Sequence, residues 1–233
     1  MESRSVLVTG ANRGLGLEFA RQYAQAGWKT YAACRSPKSA KELKALQDQH
    51  ADRITILSLD VTDAASVRSA AEKLRGEPID LLLNNAGVGS PPAQKIGRLD
   101  YAAWSQVLDA NVLGPARMIE AFVENVAKGR DKRIVTLTSR MGSIADNSSG
   151  GSYAYRSSKA GVNAVMKSFS IDLAPRGITC VVVHPGWVRT DMGGAGGKLA
   201  PAESVKSLRA LIDGLSPAHS GKFFDVDGEV LPW

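Results

Sequence analysis

Short apolar runs and longer helix-patterned segments alternate along the whole chain. The apolar runs are rich in β-branched residues and predict strands at 5–9, 29–34, 54–59, 80–85, 133–139, 179–184 and 222–226. The helical patterns lie near 15–26, 38–49, 63–75, 100–127, 153–173 and 201–214. Near-continuous apolar strands separated by helices are typical of a parallel sheet that is covered on both faces. We therefore predict an α/β fold, a single Rossmann-type doubly wound parallel sheet of about seven strands with helices on both faces.

The length and composition fit one domain. With 233 residues, 44% of them apolar, the chain can bury one sizeable core, and we expect a single domain over residues 1–233. The glycine-rich stretch at 193–197 is too short to separate domains and is expected to form a mobile loop. No run approaches the roughly 18 apolar residues of a membrane helix. We therefore expect no membrane partner and a cytoplasmic protein.

Charge and ligand spacing argue against two further classes of function. The net charge is +6, but the basic residues are spread along the chain, and the densest group, at 128–133, closes a predicted helix. We interpret this group as solvated surface and expect no nucleic-acid partner, because such binding requires clustering on one face. The three histidines and two cysteines lack ligand-like spacing, so we expect no metal and no disulfide framework.

A glycine-rich turn follows the first predicted strand. Gly10, Gly14 and Gly16 lie in the stretch VTGANRGLGLEFA, between that strand and the first predicted helix. Glycines at this point let the backbone turn tightly and present N–H groups and the helix dipole to a phosphate. The G-x3-G-x-G spacing differs from the commonest dinucleotide fingerprint, and a purely structural turn is the alternative. Its place in the first βα unit favours phosphate binding.

The end of the second predicted strand bears on which dinucleotide is bound. An acid there would bond the ribose 2′-hydroxyl, whereas an arginine accommodates a 2′-phosphate. Arg35 stands at this position, and Arg13 lies within the glycine turn. Planar guanidinium groups match phosphate oxygens well. Two solvated surface arginines are the alternative, but their place at the predicted ribose edge favours NADP(H) over NAD(H).

Seven motifs occur in order along the chain. They are TGANRGLG at 9–16, LDVTD at 59–63, NNAG at 84–87, Asn111, TLTS ending at Ser139, YRSSK at 155–159 and HPGWVRTDM at 184–192. Together they resemble the motif set of the classical short-chain dehydrogenase/reductase family, and within it the carbonyl-reductase-like, C-factor or sniffer-like subgroup. The resemblance implies an NAD(P)-binding oxidoreductase that reduces an aldehyde or ketone to an alcohol.

The resemblance assigns catalytic roles that fit the chemistry. Carbonyl reduction needs a proton donor and a hydrogen-bond partner at the oxygen that gains charge. Tyr155 matches the family's general acid/base, and Lys159 lies four residues further along the same helix face, where its cation favours the phenolate. Ser139 resembles the serine that holds the carbonyl oxygen. Asn111 resembles the asparagine that positions the lysine through a water; a helix residue bonding its own backbone is the alternative.

The resemblance also implies cofactor contacts along the glycine turn and three later loops. These residues are Gly10, Asn12, Arg13, Gly14, Leu15, Gly16, Arg35, Asp60, Val61, Asn84, Ala86, Gly87, Pro185, Gly186, Val188 and Thr190, together with Tyr155 and Lys159. Asp60 and Val61 match the adenine-side residues of the family. The loop from Pro185 to Thr190 matches the one that holds the nicotinamide carboxamide.

The candidate substrate wall is partly apolar and aromatic. Its members are Val88, Arg140, Met141, Tyr153 and Trp187. Met141 and Trp187 fit ordinary core packing equally well. The segment after Thr190 is short and glycine-rich, where the family commonly inserts a covering helix. We therefore expect an open site with broad carbonyl specificity.

Two functions of different classes remain open at this point. One is an NADPH-dependent carbonyl reductase that acts on a small-molecule substrate. The other is a dinucleotide-binding signalling or regulatory protein of C-factor type, in which turnover is incidental. The intact Ser–Tyr–Lys set favours the reductase, because a pure sensor could lose these groups. The resemblance further implies a homodimer or tetramer that pairs through the helices at 100–127 and 153–173.

Overall fold

A computed structural model describes residues 3–91 and 95–233, and one sheet runs through them. Its strands are β1 (Ser5–Thr9), β2 (Lys29–Cys34), β3 (Ile54–Ser58), β4 (Leu81–Asn84), β5 (Arg133–Leu137), β6 (Thr179–Val183) and β7 (Phe223–Phe224). The α-helices of this part of the chain are α1 (Gly14–Gln25), α2 (Lys41–Gln49), α3 (Ala64–Lys73), α4 (Tyr101–Leu108), α5 (Gly114–Lys128), α6 (Tyr153–Asp172) and α7 (Pro201–Asp213). Every ladder between these strands is parallel, in the order β3-β2-β1-β4-β5-β6-β7. The predicted doubly wound α/β fold is confirmed.

Two apolar layers cover the sheet, because successive side chains of a strand point to opposite faces. Val6 and Val8 of β1 pack in the layer that contains α1, α2 and α7, together with the free thiol Cys34. Leu7 packs in the other layer, which contains α3, α5 and α6 and the free thiol Cys180. Strands that are buried on both faces account for the near-continuous apolar runs in the sequence.

The strand order changes direction at the centre of the sheet. From β1 the chain builds β2 and β3 on one side, and then returns to place β4 on the other. A crevice opens at the carboxyl ends of the strands at such a switch point, and ligands of open α/β sheets bind there.

Several strands end one or two residues earlier than the sequence predicts, at the carboxyl edge of the sheet. Leu59, Thr138 and His184 each donate one further backbone hydrogen bond to the neighbouring strand, at 3.0, 2.9 and 2.7 Å. The chain then leaves the ladder. Polar residues that the pattern assigned to strands, Ser139 among them, therefore lie in the loops that border the crevice.

The helix predicted at 100–127 is interrupted. A π-helical segment, Asp109–Leu113, separates α4 from α5. Pro115 in the first turn of α5 has no N–H to donate to the preceding turn, which breaks the regular α-helical ladder at this point. Gly114 packs against the loop after β3, and a Cβ at Gly114 would lie 3.0 Å from Val61 Cγ2. The π-helical segment contains Asn111, whose side chain is buried.

None of the helices within residues 3–91 and 95–233 combines the length and the apolar character needed to cross a bilayer.

We expect Leu82→Ala to lower the free energy of unfolding by about 3 kcal/mol, because truncating a buried leucine removes apolar contacts and leaves a cavity. Leu82 is fully buried in the middle of β4. Urea denaturation followed by circular dichroism measures the change. The control, Ile96→Ala, truncates an 86% exposed side chain and should change the free energy of unfolding by less than about 0.5 kcal/mol. Equal losses in the two variants would contradict the assignment of β4 to the core.

Candidate active site

A cleft of about 480 Å³ lies at the carboxyl edge of the sheet. Pockets that bind small molecules and cofactors have volumes of about 300–1,000 Å³. Most of the predicted cofactor residues line it: Gly10, Asn12, Arg13, Gly14, Leu15, Gly16, Arg35, Asp60, Val61, Ala86, Gly87, Tyr155, Lys159, Pro185 and Thr190. Of the predicted substrate residues, Val88 lines it. The tertiary structure thus brings together residues from six separate stretches of sequence.

The glycine turn has the conformation that its three glycines permit. Gly10 and Gly14 have φ values of +67° and +55°, which side chains disfavour. At Gly16 a Cβ would lie 2.2 Å from the carbonyl oxygen of Gly10, so α1 can begin this close to the turn only with glycine. The turn therefore exposes the N-terminus of α1 to the cleft, with the N–H groups and dipole that favour phosphate.

Asn85 holds the glycine turn against β4, and sequence reasoning missed it. Its Nδ2 donates to the carbonyl of Thr9 at 2.8 Å, and its backbone N donates to Thr9 Oγ1 at 3.0 Å. Its neighbour Asn84, which we predicted as a cofactor contact, lies inside β4 and donates to Thr136 Oγ1 at 3.2 Å. The alternation of side chains along a strand separates the two asparagines.

The two predicted phosphate-binding arginines both border the cleft, but their surroundings differ. Arg35 lies beside Ser36 and Ser39, two hydroxyl residues that our sequence analysis did not name. Arg13 Nη1 forms an ion pair with Asp191 Oδ2 at 2.8 Å, and both side chains are well exposed. An exposed ion pair of this kind contributes little to stability, so Arg13 can exchange Asp191 for another anion at small cost.

In the loop after β3, which borders the cleft, Asp60 is held in place by its own loop. Its Oδ1 accepts hydrogen bonds from the backbone N and the Oγ1 of Thr62, at 2.9 and 2.7 Å. Arg117 of α5 donates to the carbonyl of Val61 at 3.2 Å and to Asp109 Oδ1 at 2.7 Å. The loop after β3 is thereby tied to the π-helical segment.

The hydrogen-bond donors that border the cleft fit the phosphate groups of a dinucleotide. A glycine-only turn at a helix N-terminus faces one part of it, and two guanidinium groups border another. Backbone N–H groups, a helix dipole and planar cations are the features that bind phosphate groups. Among the described residues no cluster of His, Cys, Asp and Glu could hold a metal ion.

Tyr155 and Lys159 lie on one face of α6 at the end of the cleft. Lys159 Nζ is 5.7 Å from the centroid of the Tyr155 ring and donates to the carbonyl of Leu137 at 3.0 Å. Burial lowers the pKa of Lys159 to about 8. Burial raises the pKa of Tyr155, and a hydrogen bond with the Ser139 side chain acts in the opposite direction. The ammonium group of Lys159 and the hydroxyl groups of Ser139 and Tyr155 therefore lie close together.

Close packing of the turn after β5 against α6 brings Ser139 to Tyr155. At Gly142 a Cβ would lie 2.8 Å from the carbonyl carbon of Lys159, so only glycine allows this approach. Asn163 Nδ2 donates to the carbonyl of Gly142 at 3.4 Å. Ser139 Oγ also accepts a hydrogen bond from the backbone N of Met141 at 3.1 Å. The serine hydroxyl is thus oriented by its own turn.

Asn111 does not bond its own helix backbone, which was the alternative that we considered. Its Oδ1 accepts from the backbone N of Val88 at 2.8 Å, and its Nδ2 donates to the carbonyl of Val88 at 2.9 Å. The same Nδ2 donates to Ser158 Oγ at 3.0 Å. The amide therefore joins the loop after β4 to α6, one residue before Lys159.

Four of the predicted substrate residues lie away from the lining of the cleft. Tyr153 stacks on Trp104 with ring centroids 6.4 Å apart. Two residues along a helix is a rotation of about 200°, so Tyr153 and Tyr155 face nearly opposite sides of α6. Arg140 forms an ion pair with Asp225, and Met141 lies in the turn after Ser139. Trp187 packs on its own loop, whereas Asp191 and Met192, which we did not predict, do line the cleft.

The glycine-rich stretch at 193–197, which we expected to form a mobile loop, packs closely against residues 187–189. Trp187 Nε1 donates to the carbonyl of Gly193 at 2.8 Å, and Val188 forms a parallel bridge with Leu199. At Gly193 and Gly197 a Cβ would lie 2.0 Å from Val188 O and 2.5 Å from Arg189 N. The glycines permit close backbone packing here. Val188 and Gly186 support this loop from outside the lining of the cleft.

Comparisons with known proteins agree with this site. The family model described as short chain dehydrogenase matches residues 4–198. The C-signal of Myxococcus xanthus is 44% identical over 167 residues, which cover 72% of this chain and all of that protein. The chain belongs to the short-chain dehydrogenase family.

Two solved structures extend the likeness over the full length of both chains. The carbonyl reductase Sniffer of D. melanogaster superposes with a TM-score of 0.93 at 32% identity. An NADPH-bound carbonyl reductase from chicken fatty liver superposes with a TM-score of 0.92 at 35% identity. Both cover 100% of this chain and 100% of their own. The resemblance to the carbonyl-reductase-like and sniffer-like members of the short-chain dehydrogenases is confirmed, and the protein is an oxidoreductase of that family.

His184, at the end of β6, predicts how the stability of this short-chain dehydrogenase depends on pH. Burial lowers the pKa of His184 from 6.5 to about 4, so the imidazole is neutral in the folded protein where it would be charged in the unfolded chain. The unfolded state then binds more protons between these values, and stability falls as the pH drops from about 6.5 to about 4, by at most about 3 kcal/mol. Urea denaturation across this range measures the loss.

The variant His184→Gln removes the ionisable group and should flatten this part of the pH profile. The control His50→Gln removes a histidine at the end of α2, outside the cleft, and should leave the profile of the wild type unchanged. A wild-type profile that is flat between pH 6.5 and 4 would contradict the assignment.

Proposed function

We propose that this protein is an NADPH-dependent reductase that converts an aldehyde or ketone to an alcohol, with one catalytic domain over residues 1–233. The observation that carries the proposal is the side-chain hydrogen bond between Ser139 and Tyr155, next to Lys159, where Tyr155 and Lys159 both line the cleft. A hydroxyl pair beside a buried cation is suited to stabilise and protonate an oxygen that gains negative charge.

The cleft favours NADP(H) over NAD(H). Arg35, Ser36 and Ser39 border it where an acidic residue would select the unphosphorylated ribose. Arg13 can add a second guanidinium once it releases Asp191. The likeness to the NADPH-bound chicken carbonyl reductase supports the same cofactor.

Ser139 and Tyr155 act on the carbonyl oxygen of the substrate. When bound, the nicotinamide supplies the hydride that reduces the carbonyl carbon. The Ser139 hydroxyl donates a hydrogen bond to the oxygen, and the Tyr155 phenol transfers its proton to it. The positive charge of Lys159, 5.7 Å from the ring centroid, stabilises the phenolate that remains.

Asn111 and the loop of Pro185–Thr190 complete the proposed machinery. Asn111 holds the loop that contains Gly87 and Val88 against α6, which confines Lys159; a Cβ at Gly87 would lie 3.8 Å from its Nζ. Pro185 and Thr190 face the cleft, where they can bind the carboxamide of the nicotinamide. Gly186 has a φ of +78°, and a Cβ at Gly186 would lie 2.8 Å from Leu199 Cδ1. The loop at 187–199 therefore supports the positions of Pro185 and Thr190.

The substrate side remains open and favours small carbonyl compounds of varied shape. Val88 and Met192 border the cleft, and residues 187–199 form a compact loop that contains no helix. The site thus has few side chains that could reject a substrate by shape, as broad specificity requires.

A homodimer through α5 and α6 fits the surface of these helices. A groove of about 490 Å³ runs between them, lined mainly by apolar residues: Leu113, Ala116, Ile119, Val123, Phe169 and Leu173, with Arg117 and Glu120. Leu113 is 50% exposed and Ile171 is 62% exposed. Exposed apolar patches on paired helices are typical of interfaces between subunits.

The signalling alternative gains no support from the site. A protein that only senses a dinucleotide needs the glycine turn and the arginines, but not a serine hydroxyl aimed at a tyrosine beside a buried lysine. The similarity to C-signal covers 72% of the chain and all of that protein. The reductase therefore explains more of the structure.

Purified wild-type protein should oxidise NADPH in the presence of at least some members of a panel of aldehydes, diketones and quinones. Tyr155→Phe should lower kcat by about 100-fold or more, since it removes the proton donor. Absorbance at the NADPH maximum measures turnover, and cofactor fluorescence measures binding, which the variant should retain. Turnover by no member of the panel, with NADPH still bound, would favour the sensor instead.

Arg35→Ala should weaken NADPH binding by about tenfold or more and leave NADH binding nearly unchanged, because a charge-assisted hydrogen bond to the 2′-phosphate is lost. Fluorescence titration with both cofactors measures the two dissociation constants. The control Arg75→Ala removes an arginine that is paired with Glu72 at the surface and should alter neither constant. An unchanged preference in Arg35→Ala would remove Arg35 from the cofactor site.

A further inference from the structure

The segment that follows the catalytic serine is held by the last part of the chain rather than by the cofactor cleft. We call residues 139–146 the serine segment and residues 223–233 the strap. The strap begins with β7, turns back on itself through a hydrogen bond from Asp225 N to Glu229 O at 2.8 Å, and forms an antiparallel bridge between Phe224 and Val230. It lies beyond residue 198, where the match to the family model ends.

One end of the serine segment is tied to the strap by an ion pair. Arg140 Nη2 donates to Asp225 Oδ2, and Arg140 directly follows Ser139. The Asp225 side chain is 11% exposed, and its Oδ1 accepts from Val226 N at 2.7 Å. A mostly buried carboxylate held by its own backbone gives the guanidinium a well-defined partner.

The other end of the serine segment is tied to Trp233. The carbonyl of Trp233 accepts hydrogen bonds from Ile144 N at 2.7 Å, Ala145 N at 3.1 Å and Ser143 Oγ at 3.0 Å. The Trp233 ring stacks on the fully buried ring of Phe223, with centroids 5.7 Å apart. Trp233, which is 42% exposed, is therefore fixed on one side by a ring of the apolar core.

Between these two attachments the serine segment rests on α6. Gly142 N donates to the carbonyl of Ser139 at 2.7 Å, and Gly142 packs against the backbone of Lys159. The serine segment therefore lies between α6 on one side and the strap on the other. Because the hydroxyl of Ser139 must meet both Tyr155 and the substrate oxygen, a small rotation of this turn moves it out of place.

We propose that the strap is a positioning element for Ser139, with Asp225 and Trp233 as its positioning residues. Asp225 and Trp233 set the catalytic rate and not the affinity for the cofactor, since neither of them lines the 480 Å³ cleft. This inference rests on the proposed reductase function, and it adds to that function a group of residues that touch neither the substrate oxygen nor the dinucleotide.

The test compares Asp225→Asn, which keeps the shape but removes the charge, with Asp225→Glu, which keeps the carboxylate. Asp225→Asn should lower kcat about tenfold, with the NADPH dissociation constant unchanged, and Asp225→Glu should recover most of the rate. Glu229→Gln, a loss of charge on the same turn, is the matched control and should behave as wild type. The melting temperature of each variant shows whether it is folded.

A double-mutant cycle with Arg140→Gln tests whether the pair acts as a unit. The effects of Arg140→Gln and Asp225→Asn on kcat should be far from additive, as for residues that share one interaction.

For the second attachment, Trp233→Ala should lower kcat and Trp233→Phe, which keeps an aromatic ring on Phe223, should restore it. Hydrogen exchange of the amides of Ile144 and Ala145 should be faster in Trp233→Ala.

The outcomes separate the two proposals. An active wild type whose kcat is unchanged in folded Asp225→Asn and Trp233→Ala overturns the role of the strap and leaves the reductase intact. An equal loss in Glu229→Gln, or a weaker NADPH affinity in place of a lower kcat, overturns the role of the strap as well. A wild type that reduces no carbonyl compound overturns the reductase, and the positioning role with it.

Discussion

The parallel pairing of β4, β5 and β6 beside β1 is the constraint on which the site depends. Parallel strands end at the same edge, so the glycine turn after β1, the NNAG turn after β4, the serine turn after β5 and the proline loop after β6 all meet there. The same pairing requires helices as crossovers, and α6 is the crossover that carries Tyr155 and Lys159. Ser139, Tyr155 and Lys159 are therefore close to the cleft because of the sheet topology.

Close backbone contacts then turn this proximity into a defined geometry. Gly16 lets α1 start against Gly10, and Gly142 lets the serine turn lie on the backbone of Lys159. The same packing buries the Lys159 ammonium, which lowers its pKa to about 8, and the Tyr155 phenol, whose pKa it raises. The desolvation cost is met by fixed partners such as the carbonyl of Leu137. A rigid, partly dry site with a preorganised cation is suited to stabilise charge that appears on an oxygen.

Much of this site could be predicted from the sequence, and the misses share a cause. The glycine turn, Arg35 and the Tyr155 and Lys159 pair are local patterns, and each lies in the cleft as its spacing indicates. Tyr153 was placed on the substrate side by its nearness in sequence, but the helix rotates it onto Trp104. Asn84 and Asn85 could not be told apart without knowing which faces the sheet interior. The stretch at 193–197, which we expected to form a mobile loop, makes close contacts with Trp187, Val188 and Arg189 that no local pattern indicates.

The sequence by itself determined the alternation of strands and helices, the glycine-rich turn after β1 and the pairing of Tyr155 with Lys159, because periodicity and short spacings act within one element. Only the tertiary structure decided which groups hold these residues in place. Arg140 with Asp225, Asn111 with Val88 and Ser158, and Trp233 with the turn after Ser139 join residues far apart in the chain. No local pattern encodes such contacts, since they arise only when separate elements pack around one core.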